Sequence, residues 1–432
     1  MTATFEQVEA TTKRLVITQI LTDFFGEVMR RSPDDLVKCV YLCLNKVCPD
    51  YEGTELGIGP ALLLKAVSGA TGRPMPKLKE AMKEKGDLGE VAMDSKSNQP
   101  TMLAPKALTV QSVFKALKEI AAFSGHSAQN KKVDKIRFLL VSSKDSETKY
   151  IIRSLEGKLR IGVAGQTVIQ ALAHAAVANT YHQSTLAFIF LFCFCRLPLD
   201  EQDTFFCVMV VCLVAEGIHL RAQKKKKKKK IAGKVSAEVL ANEMAACAKT
   251  LKTVYSEVPS FDILLPVLVN EGPAALRKQC KLTVGVPVKP MLAHPTKSIQ
   301  DVLHRFENCA FTCEWKYDGE RAQVHRLADG TVQVFSRNQE NMTIKYPDLV
   351  EKLQGITDAS IETFVIDAEV VAWDTQKKHI LPFQVLSTRK RKDVDTKDIT
   401  VQVCLFCFDL LYLNGEVIDF LSWSRRVHPK SS

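Results

Sequence analysis

Phe311-Thr312-Cys313-Glu314-Trp315-Lys316-Tyr317-Asp318-Gly319-Glu320-Arg321 decides how the rest of the chain is read. Polar and apolar residues alternate from Phe311 to Asp318. A β-strand of that period puts Thr312, Glu314, Lys316 and Asp318 on one face, and Phe311, Cys313, Trp315 and Tyr317 on the other. The spacing therefore predicts a strand over 311–318 with one packing face and one face that presents chemistry. Gly319 marks a turn or a close approach to the backbone, and Arg321 adds a permanent planar cation just beyond it. A lysine beside two carboxylates is ordinarily a protonated member of an ion pair, and becomes a nucleophile only when desolvated or given cationic or metal neighbours. A solvated edge strand carrying an ion pair accounts for the same residues.

Strand signals continue downstream. Arg321 to Arg326 reads as a strand, and Asp329-Gly330 as a hairpin turn before Thr331 to Phe335, which delivers Ser336-Arg337-Asn338-Gln339-Glu340. Phe364 to Trp373 is a strand on which Asp367 and Glu369 share a face. Two carboxylates on a largely apolar strand call for a metal, a ribose hydroxyl or a cation, unless they sit at a sheet edge. Ser387-Thr388-Arg389-Lys390-Arg391-Lys392 puts four cations in a row on a loop, and Val401 to Phe408 is a continuous apolar run, predicted as a buried strand that Asp409 ends.

Upstream the period changes to that of helices. Ile17, Ile20, Leu21, Phe24, Phe25 and Val28 recur at intervals of three and four, as do Val37, Val40, Tyr41 and Leu44. Val113 to Ala121, Val133 to Val141 and Ala237 to Val258 repeat the pattern, with glycine and proline breaks at Gly57 to Pro60 and Gly72 to Pro76. Phe261 to Leu268 with Leu276 close this helical part near Val284, and the proline-rich Val286 to Pro295 cannot be a helix interior. Two loops in the helical part suit phosphate. Ser124-Gly125-His126-Ser127 precedes Lys131-Lys132, and Gly157-Lys158-Leu159-Arg160-Ile161-Gly162 brackets two cations with glycines. An ordinary N-cap and a basic interhelical turn explain them equally well.

Lys316-Tyr317-Asp318-Gly319, with Glu314 before it and Arg321 after it, resembles the first motif of the nucleotidyltransferases that form a covalent lysyl-nucleotide. The longer match resembles ATP-dependent DNA ligases of the eukaryotic replicative type. The resemblance covers about residues 1 to 180 and 231 to 416 and carries the ordered set Lys316, Arg337, Glu369, Phe408. It implies a multidomain fold: an all-α DNA-binding domain over 1–285, then an α+β adenylation domain over 286–416 that is incomplete at its C-terminus, and a divergent tail over 417–432. It implies Lys316 as the catalytic nucleophile, with Glu314, Lys316, Arg321, Arg337, Glu369 and Phe408 binding the nucleotide. Glu369 would also meet Mg2+, Phe408 would stack on adenine, and Arg337 would touch the sugar or the phosphate at a nick. The glycine-bracketed loop (Gly157, Lys158, Arg160, Gly162) would grip the minor groove, and Glu84 to Gly89 also resembles that domain. Lys131 and Lys132 would hold phosphate, and Arg389, Lys390, Arg391 and Lys392 would lie against the DNA backbone. The implied reaction uses ATP and magnesium to seal nicks in duplex DNA through lysyl-AMP.

The segment from about Tyr181 to Gln223, within an atypical insert ending near residue 230, departs from the family pattern. Leu186 to Cys195 and Phe205 to Ala215 are uncharged apolar runs too short to span a bilayer. Lys224 to Lys230 follow and supply seven of the net +11 charges, so the basicity is concentrated rather than spread. The family's second metal-binding glutamate, its two phosphate-holding lysines and its oligonucleotide-binding-fold domain are not found before Ser432, so little complete ligase activity is expected of this chain. The thirteen cysteines are irregularly placed, and only Cys404 and Cys407 have knuckle spacing. Free thiols in a reducing compartment are expected, and without a visible secretory signal or membrane span a nuclear monomer acting on nicked duplex DNA. A sliding clamp is a possible partner, although no clamp-binding segment is visible. The alternative is a non-catalytic DNA-binding fragment. An RNA-capping or RNA-ligase enzyme shares the lysine motif, but the helical domain ahead of it argues against that reading.

Overall fold

The computed structural model describes residues 1–97, 106–125, 127–194, 237–309, 311, 313–356, 358, 360–390 and 399–418. Their contacts divide the chain into two units: residues 1–48, 54–253 and 261–279, and residues 49–53, 254–260 and 280–432.

The described elements of the first unit are helices: α1 (Thr2–Glu9), α2 (Arg14–Arg31), α3 (Leu36–Cys43), α4 (Pro60–Thr71), α5 (Met75–Lys85), α6 (Leu88–Ser97), α7 (Val110–Ala122), α8 (Ala128–Ser142), α9 (Ser146–Leu155), α10 (Gly165–Phe194), α11 (Ala237–Glu257, whose residues from 254 on count with the second unit), α12 (Phe261–Glu271) and α13 (Pro273–Gln279). The apolar periodicity turns into packing directly. In α2 Ile17, Leu21, Phe25 and Met29 are buried at four-residue spacing, and α2 lies along α10. Helix α4 begins at Pro60 and ends on Gly72 at φ +68°, a left-handed cap that glycine adopts without strain. The Tyr41 hydroxyl donates to Asp262 at 2.5 Å, tying α3 to α12. None of the helices among the described residues is long and apolar enough to cross a membrane. Most of the apolar insert, 195–223, and the lysine run lie outside the described residues.

The second unit is built on a sheet. Helix α14 (Ile299–Arg305) precedes β1 (Glu320–Arg326) and β2 (Val332–Ser336). Then come α15 (Pro347–Ile356), β3 (Phe364–Asp374), β4 (His379–Ile380), α16 (Phe383–Ser387), β5 (Val403–Leu413) and β6 (Glu416–Val417). The strand order is β2-β1-β3-β5-β6, with β4 paired to β3. The Asp329-Gly330 turn joins β1 to β2, with Gly330 at φ +82°, and Asn414-Gly415 joins β5 to β6. One face of the sheet is apolar: Ala322, Val324, Val332, Val334, Phe364 and Val370 pack with Tyr346, Leu349 of α15 and Leu386 of α16. The proline-rich stretch 286–295 contains neither helix nor strand.

Two expectations about strands need correction. The described residues of 311–318 are not a strand; the ladder starts only at Glu320, and Trp315 is 86% exposed. The reason lies in β3. Beyond its pairing with Glu320 through Val370, that strand already gives the carbonyl of Ala372 to the Leu381 N–H at 2.8 Å and pairs Trp373 and Asp374 with β4. Alternation alone cannot make a strand without a free ladder edge. Strand β5, in turn, is not ended by Asp409 but runs to Leu413, and only Val403 of it is buried. Among the described strands its outer side meets only the two residues of β6, so an apolar sequence there is left partly open.

Candidate nucleotide site and nucleic-acid interface

The second face of the sheet carries the polar groups. In the antiparallel register Arg321 of β1 lies opposite Glu369 of β3, and Gln323 opposite Asp367, so these side chains rise on one side while Ala322 and Val324 point to the core. Asp367 is 5% exposed and takes the Arg321 guanidinium at 2.5 Å, with Gln323 Nε2 donating to its other oxygen at 3.2 Å. A buried carboxylate needs that much compensation. Glu369 is half-buried, and burial pushes its carboxyl above the ordinary range despite the nearby charges of Lys316 and Arg321 and the Gly319 N–H that donates to it. Asp409 is raised as well, by desolvation first and then by Asp367 and Glu314. The site thus holds more carboxylate charge than its own cations settle.

Gly319 explains how Lys316 reaches this face. A Cβ on Gly319 would lie 2.3 Å from the Val370 carbonyl oxygen and 3.0 Å from Glu369 Cγ, so only glycine lets the chain close onto β3 here. Lys316 follows from that contact: it is exposed, and Glu369 feels its charge. Glu314 is exposed and electrostatically coupled to Asp409. The aromatic groups differ from expectation in detail. Phe408 is 39% exposed and is the extra residue where the β3–β5 register slips between Asp367 and Ala368. Its ring lies 5.6 Å from the Arg321 guanidinium. Phe406 pairs with Glu369 and stacks on Tyr317 at 4.2 Å, a partnership the sequence did not single out. Arg337 is exposed on the turn after β2, which is fixed by Gln339 at φ +69° and by the hydrogen bond that its Nε2 donates to the Pro287 carbonyl at 2.9 Å.

In the helical unit the glycine-bracketed loop is well built for presenting cations. Leu159 and Ile161 are buried anchors, while Lys158 and Arg160 between and beside them are exposed. Gly157 and Gly162 take φ of +79° and +65°, and Arg160 itself adopts φ +58°. The Arg160 guanidinium donates to the Gly86 carbonyl at 3.0 Å, so this loop and the Glu84 to Gly89 stretch come together. Under them Asp87 and Arg153 form a buried pair at 2.7 Å, and Arg153 also meets Glu9 at 3.0 Å. Burial would raise the Asp87 carboxyl, yet the Arg153 guanidinium, the Gly89 N–H and Arg160 together hold it below its usual range.

Four cations read as DNA contacts belong elsewhere or lie beyond view. Lys132 is buried and gives its ammonium to the Leu56 carbonyl at 2.7 Å, so that of the two lysines Lys131 is the exposed one. Arg389 is 6% exposed; it is bound to Asp348 and to the Val401 carbonyl at 3.0 Å, over the Tyr346 ring. Its neighbours in sequence hid a structural role: with Asp348 buried against it, the guanidinium compensates a charge that would otherwise be stranded. Lys390 is exposed; Arg391 and Lys392, like His126, lie outside the described residues.

Family models divide along the same line. A model of the DNA ligase N terminus matches residues 1–173, and a model of the ATP dependent DNA ligase domain matches residues 290–427. DNA ligase 1 of Schizosaccharomyces pombe is 42% identical over 416 residues, covering 96% of this chain and 48% of that protein. This chain belongs to the ATP-dependent DNA ligase family.

DNA ligase 1 of Drosophila melanogaster is 40% identical, with 98% of this chain and 50% of the relative covered, and a DNA ligase of Caldivirga maquilingensis is 32% identical, with 95% and 58% covered. The chain spans between 33% and 50% of the length of the curated relatives it matches first. Within this ligase chain no group of three or more metal-ligating side chains is found among the described residues.

Proposed function

We propose that this ligase-family chain supplies the DNA-gripping helical module, about residues 1–285, and the nucleotide-accepting part of the adenylation module, about 286–416, of a nuclear, monomeric enzyme that seals nicks in duplex DNA during replication and repair. Lys316 attacks the α-phosphate of ATP, forming the phosphoramidate of lysyl-AMP as pyrophosphate leaves. The adenylate then passes to the 5′ phosphate at a nick, and the neighbouring 3′ hydroxyl displaces AMP as the strand closes.

The convergence of Lys316, Arg321 and Glu369 at the Gly319 crossing carries this reading. Arg321, held in line by Asp367, orients the nucleotide, and Glu314 and Phe408 flank the base. Arg337 is placed to meet the sugar or the nick phosphate. Glu369, whose carboxyl burial has raised, fits a partner that brings positive charge, and it would hold Mg2+. When bound, the ion neutralises charge on the phosphates. A lysine nucleophile needs desolvation or neighbouring positive charge, and Lys316 is exposed, so adenylation by these residues alone should be weak. Incubation with ATP labelled at the α-phosphate tests the assignment: label should be retained by the chain and lost in Lys316→Ala.

The glycine-bracketed loop, with Lys158 and Arg160 exposed on buried anchors, supports DNA contact whether or not the chain is adenylated. Salt-dependent binding to nicked duplex without any label would favour the non-catalytic reading.

A further inference from the structure

Arg321 does not end at Asp367. Gln323 donates from Nε2 to Asp367 at 3.2 Å, and its Oε1 accepts the Val288 N–H at 2.7 Å. The same Oε1 lies 3.0 Å from Nε2 of His325, whose Nδ1 accepts the Gly285 N–H at 2.9 Å. Because Nδ1 is occupied by a backbone donor, the proton of the neutral ring sits on Nε2 and points at Gln323. Burial, which drives the His325 pKa down to about 3, keeps the ring neutral at ordinary pH. Each donor then meets an acceptor, and the Gln323 amide has one orientation: flipped, its NH2 group would face two donors and its oxygen would face a carboxylate. Gln323 is 5% exposed and His325 fully buried, so water cannot replace these partners. Phe335 closes the ring from the edge, 4.9 Å from His325.

We propose that Gln323 is a positioning residue, backed by His325, that fixes the Asp367–Arg321 pair by tying it to the backbone strap Gly285–Val288. The strap sets the amide, the amide sets the carboxylate, and the carboxylate sets the guanidinium on the site face. The consequence for nucleotide affinity rests on the adenylation reading above; the ordering of Arg321 does not.

Two readouts on the full chain separate the claims. The first is the Arg321 Nε–H resonance in 15N-labelled protein, assigned by its loss in Arg321→Lys. The second is AMP affinity by titration. Gln323→Leu should lower the order parameter of the Arg321 Nε–H and weaken AMP roughly tenfold, about the effect of one hydrogen bond to a charged group. Gln323→Glu keeps the size but removes the donor to Asp367, and should act in the same direction if the leucine variant does not fold. Val334→Ala, a fully buried position on the opposite face, should lower the unfolding temperature and leave both readouts as they were. An unchanged Arg321 resonance in both Gln323 variants, or an equal change in Val334→Ala, overturns the proposal. Absence of AMP binding to the unaltered chain would instead count against the adenylation reading, with the Arg321 resonance still deciding the role of Gln323.

Discussion

Replacing Gly319 by alanine probes the contact on which the site depends. The added methyl would sit 2.3 Å from the Val370 carbonyl oxygen, 2.9 Å from Val371 Cγ1 and 3.0 Å from Glu369 Cγ. Backbone oxygen cannot rotate away, so β1 and β3 must part by about 0.7 Å before that first contact reaches even 3.0 Å. Overpacking of this kind costs about 1–3 kcal/mol. For a unit of this size that lowers the unfolding temperature by about 3–10 °C. The same movement draws the Gly319 N–H from Glu369 and shifts Lys316, so any adenylation should fall further than stability does. Gly330→Ala is the control: it meets no atom within 4 Å but carries φ +82°, and should cost only about 1–2 kcal/mol with the site intact. Thermal unfolding followed by near-UV circular dichroism, with α-phosphate labelling in parallel, reads both. Gly319→Ala with unchanged stability and labelling would refute the steric argument.

Other consequences divide by unit. Lys158→Ala and Arg160→Gly, the latter keeping the φ +58° that glycine tolerates, should each reduce the salt dependence of DNA binding by about one counterion; Lys158→Ala should leave stability unaltered, while Arg160→Gly should cost about 1 kcal/mol through the lost bond to the Gly86 carbonyl. Arg389→Ala should do the reverse, costing about 3–5 kcal/mol by stranding buried Asp348 while leaving the salt slope alone. Asp87 has a lowered carboxyl pKa, so its stabilising contribution is present above the unfolded value and fades as pH falls through the folded one; Asp87→Asn should destabilise at neutral pH and progressively less in acid. Glu369 has the opposite sign. Its raised pKa means that stability is fully present below the unfolded value and lost as pH rises through the folded one, so Glu369→Gln should stabilise at neutral pH and be near neutral in acid, by denaturant titration at both pH values.

Much of this was legible in the sequence because local rules acted without competition. The four-residue spacing of Ile17, Leu21 and Phe25 became the buried stripe of α2, and Asp329-Gly330 became the turn between β1 and β2. The pairing of Asp367 and Glu369 on one face followed from strand period alone. The failures have a shared cause, since each depended on a partner distant in sequence. Residues 313–318 alternate like a strand, but the edge they needed on β3 is taken by Leu381 and β4. Arg389 and Lys132 look like any exposed cation until Asp348 and the Leu56 carbonyl are seen beside them. Gln323 and His325 alternate with Ala322 and Val324, a pattern that ordinarily signals a solvated face, and here the strap at 285–288 covers it.

Peptide mapping by mass spectrometry after incubation with ATP and Mg2+ tests the central claim most directly. The account expects a single adenylate, in a small fraction of chains, on the peptide that contains Lys316, and none on Lys316→Ala. An adenylate on any other side chain, or one that persists in Lys316→Ala, would contradict it.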